Sequence, residues 1–236
     1  MPRPLRPIDD GLVYHVVNRG NNRQEVFRKA ADFEAFLDAL GDLQQRKPFE
    51  LYGYCLMSNH FHLLIKPVGD TISRIMQSLT VSHTQRYHRH YQSGGHVWQG
   101  RFKSPVVQND QHLLCVLRYI EANPLRAKLV RTAGAYRWSS YAAHGGGAVD
   151  DLLDSLITYE EISPYPKVRQ RHWSAMVHEP LAERDLTSIR RSTATGLPYG
   201  EQAWIGRLAE QLNLELRTRP RGRPRKQPDQ EATGDK

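Results

Sequence analysis

The sequence predicts an α+β fold: an antiparallel sheet covered by helices on one face, followed by a helical extension. Three observations predict it. Strand-like and helix-like apolar spacings alternate as far as Pro124. Two strand-like runs are separated only by Ser58-Asn59, which makes them a hairpin. After Gly145-Gly146-Gly147 the pattern turns helical and less regular.

The elements follow in order. Val13-Tyr14-His15-Val16-Val17-Asn18 is rich in β-branched and aromatic residues and reads as a first strand. Arg19-Gly20-Asn21-Asn22-Arg23 breaks it with turn-forming residues. Phe33, Phe36, Leu37, Leu40 and Leu43 recur with helical spacing from about Lys29 to Gln45, and Pro48 ends that helix. Leu51 to Leu56 and His60 to Lys66 are the hairpin strands. Ile72, Ile75, Met76, Leu79 and Val81 mark a helix from Thr71 to Tyr91, with a turn at Gly94-Gly95. Val97 to Val107 alternates as a fourth strand that ends near Pro105. Leu113, Leu114, Val116, Leu117 and Ile120 form a helix that stops at Asn123-Pro124. Strand, helix, strand, strand, helix, strand, helix is the ferredoxin-like (RRM-like) arrangement.

Three regions are expected. Residues 1–145 form the sheet domain, and 148–216 a helical accessory region whose clearest pieces are Leu181-Ala182-Glu183 and Trp204 to Leu212. Residues 217–236 form a basic tail with no apolar period, expected to be disordered in isolation.

Composition narrows the setting. The chain has 236 residues, 39% of them hydrophobic and 25% charged. Mean hydropathy is -0.64, and no apolar run approaches the roughly 18 residues of a membrane span. Met1-Pro2-Arg3-Pro4-Leu5-Arg6-Pro7 lacks the apolar core of a signal peptide. Cys55 and Cys115 both lie in apolar context, as buried free thiols do. A soluble, cytoplasmic protein is expected, with no membrane partner. Net charge is +8 and the pI about 9.6, which favours a polyanionic partner, nucleic acid first.

The chemistry centres on His60-Phe61-His62. Residues two apart on a strand share a face and stand about 6.8 Å apart. Two imidazoles at that spacing can share one ion, while Phe61 faces a core. Read alone, the pair also describes two histidines on a half-exposed face. The helix around Leu117 to Asn123 adds two groups. Tyr119 and Asn123 are four apart and share a helix face. An amide oxygen from Asn123 suits Mg²⁺ or Mn²⁺ beside imidazole, although Asn-Pro is equally a helix terminator. A metal that polarises a phosphoryl oxygen lets a phenol attack a phosphodiester and form a phosphotyrosine. The bond energy is kept, which suits strand transfer better than hydrolysis. His15 lies on a strand that borders this site, whereas His83, His88, His90 and His112 read as surface residues.

Several separated blocks, in order from about residue 10 to 142, carry a family resemblance. They are Tyr14-His15-Val16, Asn18 to Arg23, Met57 to Leu64, Trp98 to Ser104, Tyr119 to Ala127 and Trp138-Ser139-Ser140-Tyr141. On these the chain resembles the REP-associated tyrosine transposases, relatives of the single-tyrosine HUH transposases of small insertion sequences. The resemblance implies an HUH endonuclease core with His60 and His62 as metal ligands and Tyr119 as nucleophile. Asn123 stands where the insertion-sequence relatives have a glutamine that completes the metal site. It implies cleavage of single-stranded DNA beside small hairpins, leaving a 5′-phosphotyrosine and a free 3′-OH. In those relatives active sites are shared across a dimer; here both a monomer and a homodimer are open.

Basic and aromatic residues interleave where a single strand is expected to lie, because cations track phosphates and rings stack on bases. The candidates are Arg86, Arg89, Trp98, Arg101, Phe102 and Lys103, with Arg19 and Arg23 beside the first strand. Trp98 and Phe102 fit core packing equally well. In the tail, Pro220-Arg221-Gly222-Arg223-Pro224 has the form of an AT-hook core, in which Arg221 and Arg223 enter a narrow minor groove. It would tether the protein to duplex DNA and the nucleoid; the same tail also serves as a solvated end. A non-catalytic nucleic-acid-binding module and a metal hydrolase using water are the competing functions.

Overall fold

The computed structural model describes residues 11–216. The AT-hook-like segment, with Arg221 and Arg223, lies outside them. Four strands make one antiparallel sheet: β1 (Val13–Arg19), β2 (Phe49–Met57), β3 (His60–Pro67) and β4 (Val106–Val107). Their order is β2-β3-β1-β4. Between them run α1 (Ala30–Arg46) and α2 (Ile72–Tyr91), so the connectivity is the ferredoxin-like one.

The apolar spacings explain α1 and α2. Phe33, Phe36, Leu40 and Leu43 of α1 and Ile72, Ile75, Met76 and Leu79 of α2 are all buried against one sheet face. That face takes Tyr14 and Val16 from β1 and Phe61, Leu63 and Ile65 from β3. Thr71 caps α2 by accepting from the Arg74 amide at 3.3 Å. Two readings on α2 need correction. Val81 is exposed, off the buried stripe, while His83 is buried and its Nε2 lies 3.0 Å from the Val26 carbonyl.

The second sheet face is also covered, which modifies the expectation of helices on one face. Here α3 (Gln111–Glu121) packs Leu113, Val116, Leu117 and Ile120 against Tyr52, Cys55 and Leu64. Gly53 makes this approach possible: a Cβ there would stand 2.2 Å from Leu117 Cδ1. Of the two cysteines, Cys55 is buried, whereas Cys115 is only partly covered.

The predicted fourth strand also shrinks. Only Val106–Val107 pairs continuously with β1, and Val97–Pro105 is a loop touching the first strand and its following turn at two bridges, Val17 with Lys103 and Gly20 with Trp98. Gly100 turns the chain with φ +77, and Trp98 leans away to donate its indole N–H to Thr84 Oγ1 at 3.1 Å on α2. Alternation in this stretch therefore records contacts with two different elements.

Beyond α3 the chain forms α4 (Asn123–Arg126), α5 (Tyr141–His144), α6 (Ile157–Glu160), α7 (Pro166–His178), α8 (Glu183–Thr195) and α9 (Gln202–Gln211). Trp173, Val177, Ile189 and Tyr199 of this region share one buried cluster with α3 and the sheet. Tyr199 also bridges to Val107 at the sheet edge. No helix among the described residues is long and apolar enough to cross a membrane.

Candidate active site

The site grows out of strand alternation. With Phe61 and Leu63 committed to the first core, His60, His62 and Leu64 must point to the α3 face. Register sets His62 opposite Val17 of β1 and Cys55 of β2, and His60 opposite Arg19 and Met57. His15 reaches the same face. Its Nε2 lies 2.8 Å from His62 Nδ1, and the two rings stack with centroids 5.1 Å apart. The His60 ring is 5.1 Å from that of His62, nearly perpendicular, and His60 Nδ1 is 2.6 Å from Asn59 Oδ1.

Both remote ring nitrogens are thus held. The tautomers in which His60 and His62 donate through Nδ1 leave their Nε2 lone pairs free, the state a divalent ion requires. Burial, with Arg19 and Arg126 nearby, holds His60 down at about 4. Burial, with Arg126, holds His15 down at about 3, and His62 is lowered well below its ordinary value by burial and then by its histidine neighbours. The three imidazoles are neutral at pH 7. Among the described residues no three His, Cys, Asp or Glu side chains cluster as a metal site. Two neutral imidazoles fit a divalent ion whose remaining ligands are oxygens from amide, water or substrate.

The tyrosine arrives on α3. Its ring presents an edge-on contact to both His15 and His62, each at 5.8 Å between centroids. Asp110 fixes the start of this helix by accepting from the His112 amide at 2.8 Å. At its end, Glu121 is fully buried and accepts from Ser140 Oγ at 2.5 Å and Trp173 Nε1 at 2.7 Å, with His144 Nδ1 at 2.6 Å. The strand, the helix and the extension thereby hold Tyr119 in place.

Asn123 begins α4 rather than continuing α3. Its amide nitrogen donates to the carbonyls of Tyr119 and Ile120, both at 3.2 Å. Its Oδ1 accepts from Arg126 Nη2 at 2.8 Å. These bonds satisfy the helix-ending reading. As a metal ligand Asn123 would have to use the second lone pair of an oxygen already holding a cation. Arg126 is a group the sequence reading did not single out. Its guanidinium stacks 4.0 Å over the Tyr119 ring and donates to the Tyr119 carbonyl at 2.8 Å.

His60, His62, Tyr119, Asn123 and Arg126 line a cavity of about 610 Å³. Arg19, Arg101, Lys103, Arg126 and Arg190 all border it, and among the described residues no Asp or Glu does. Such a space attracts anions. Of the residues expected to meet DNA, Arg19, Arg101 and Lys103 are therefore gathered here, with Lys103 Nζ also donating to the Ala194 carbonyl at 2.9 Å. The others are not. Arg23 sits in the turn after β1, where its carbonyl accepts from Asn59 Nδ2 at 3.3 Å. Arg86 and Arg89 belong to α2, on the opposite sheet face, and Arg86 donates to the Ala31 carbonyl at 3.2 Å. Trp98 and Phe102 pack against the first core.

A small antiparallel sheet thus presents two histidines to a tyrosine on a crossing helix. The model of the IS200-like transposase family matches residues 10–123, the stretch from just before β1 to the start of α4. Over that stretch, just under half of the chain, it is similar to the IS200-like transposases. In three dimensions the chain is similar to a REP-associated tyrosine transposase solved in complex with a REP hairpin. The identity is 18%, the TM-score 0.52, and the match covers 66% of this chain and 94% of that one. It is also similar to a transposase candidate from Deinococcus radiodurans at 18% identity, TM-score 0.37, covering 54% of this chain and 92% of that one. No curated protein matches this chain significantly.

Proposed function

We propose that this chain is a metal-dependent endonuclease and strand transferase for single-stranded DNA, cutting beside hairpins of the REP type through a 5′-phosphotyrosine. The observation that carries the reading is the placement of Tyr119 edge-on to His62 in a cavity bordered by cations and, among the described residues, by no acid. The hairpin substrate is taken from the REP-associated relative of the same fold.

In this reading the Tyr119 oxygen attacks the scissile phosphorus. The O–P bond to tyrosine forms as the P–O3′ bond breaks, and the 3′ oxygen leaves and takes up a proton. Rejoining is the reverse attack by a 3′-OH. His60 and His62 would hold a divalent ion, Mg²⁺ or Mn²⁺, which supplies Lewis-acid polarisation of the phosphoryl oxygen. His15 fixes the His62 ring. Arg126 holds the Tyr119 backbone and ring, and Asn123 holds Arg126, so Asn123 acts on the nucleophile more directly than on the ion. Arg19, Arg101 and Lys103 neutralise phosphates in the cavity.

The test is a covalent adduct on a denaturing gel, using single-stranded hairpin oligonucleotides from repeats flanking the gene, with Mg²⁺. Wild type should give the adduct, and Tyr119→Phe should give none. His60→Ala and His62→Ala should bind DNA and fail to cut. An adduct that persists in Tyr119→Phe would sink the assignment.

A further inference from the structure

The α8 helix lies in the extension, beyond the segment that matches the transposase family. It nevertheless forms a wall of the active-site cavity through Arg190, Thr193 and Ala194. Its placement is fixed from behind. Ile189 is buried in the core shared with α3, and Ser192 donates to the Leu197 carbonyl at 2.6 Å. Ile189 and Ser192 are three apart and turn inward; Arg190, Thr193 and Ala194 are spaced by three and four and follow the adjacent stripe. Lys103 ties the end of α8 to the loop beside β1 through the Ala194 carbonyl.

The charge placement is what demands an explanation. Arg126 is already stacked on Tyr119 and hydrogen-bonded to Asn123. Arg190 borders the same cavity as Arg126. Among the described residues no acid borders the cavity to offset the pair, and Arg190 forms no ion pair. Two guanidiniums facing one space without a carboxylate repel each other until an anion enters. The thymine, cytosine or purine rings of a strand carry no such charge; its phosphodiester does. A guanidinium fork matches two non-bridging phosphate oxygens.

We infer that Arg190 of α8 is a phosphate-binding residue of the active site, holding the scissile phosphodiester against Tyr119. The extension is then part of the catalytic unit, and the segment shared with the family is incomplete without it. This rests on the nuclease reading above. Arg190 is exposed, so its replacement should leave the fold intact.

The experiment uses the full chain in a Tyr119→Phe background for binding and with Tyr119 intact for cutting. The probe is a hairpin oligonucleotide from the flanking repeats, carrying a single methylphosphonate moved one linkage at a time along its unpaired arm. Arg190→Ala should reduce the slope of log affinity against log salt by about 0.7, the value for one lost contact to a single strand. Arg190→Lys should keep the slope. At one linkage the methylphosphonate should abolish the difference between Arg190 and Arg190→Ala, and wild type should cut at that linkage. There Arg190→Ala should slow adduct formation on the order of 10²-fold. If Arg190→Ala loses affinity equally at every methylphosphonate position, or cuts at the wild-type rate, the inference fails. If wild type cuts nowhere, the nuclease reading fails, while the methylphosphonate series still decides whether Arg190 holds a phosphate.

Discussion

Asp32 is an acid that the fold uses structurally, remote from the cavity. At the third position of α1 it accepts from the amides of Arg28 at 2.9 Å and Lys29 at 3.0 Å, and from the Tyr91 hydroxyl at 2.6 Å. It satisfies amides that precede the helix and joins α1 to the end of α2. Burial alone would raise its pKa; the Tyr91 hydroxyl and the two amides outweigh that and hold it below the usual carboxylate range. A carboxylate with a lowered folded pKa stabilises above its unfolded value and loses that contribution as pH falls through the folded one. Asp32→Ala should therefore cost about 1–2 kcal/mol at pH 7. In urea melts the gap from wild type should narrow steadily below about pH 4. A gap that stays constant down to pH 2 would exclude the linkage. The site residues were legible to different degrees for equally local reasons. That His60 and His62 share a strand face, and Tyr119 and Asn123 a helix face, was readable from spacing alone, whereas their roles were implied only by the family resemblance. Arg126 lies seven residues after Tyr119, two helical turns, but the break at Ala122 hides that relation. His15 was visible as a neighbour of the site, but its bond to His62 depends on the tertiary pairing of β1 with β3.

At the level of elements, α3 matters most, because its position sets Tyr119. Its sheet-facing side was readable from Leu113, Leu117 and Ile120. Its anchor was not. Glu121 is fully buried, with Ser140 and Trp173 donating to it and His144 beside it. A buried carboxylate with three such neighbours is costly to disturb, since each donor left unsatisfied adds about 1–3 kcal/mol. Glu121→Gln replaces one acceptor oxygen with a donor and should lower stability by that order. Because Glu121 is two residues from Tyr119, adduct formation should fall as well. Trp173→Phe removes one donor and a smaller volume, and it should retain more of both stability and activity than Glu121→Gln. Equal stability of Glu121→Gln and wild type in urea would overturn the account of how α3 is held. The loop from Val97 to Pro105 teaches the converse. Its alternation was readable, but alternation does not distinguish strand pairing from Trp98 reaching to α2.

On the scale of the whole molecule, the boundary drawn near residue 145 marks a change of sequence pattern without a break in packing. The glycines at 145–147 and the loss of strand alternation are real local signals. They say nothing of where Trp173, Val177, Ile189 and Tyr199 go, and all four enter the core beneath α3. Removing a buried tryptophan alone costs about 3–5 kcal/mol, a large part of a typical domain stability of about 5–15 kcal/mol. A chain ending at residue 145 would lose Trp173 with the rest of that cluster, leave Glu121 short of a donor, and uncover the outer face of α3. The shortened chain should be insoluble or lack a cooperative melt, whereas a chain ending at residue 216 should melt as the full protein does. Circular dichroism melts of the two truncations decide this. A cooperative, soluble 1–145 fragment that still forms the Tyr119 adduct would make the extension dispensable, and would separate the nuclease, which would stand, from the role given to α8, which would not.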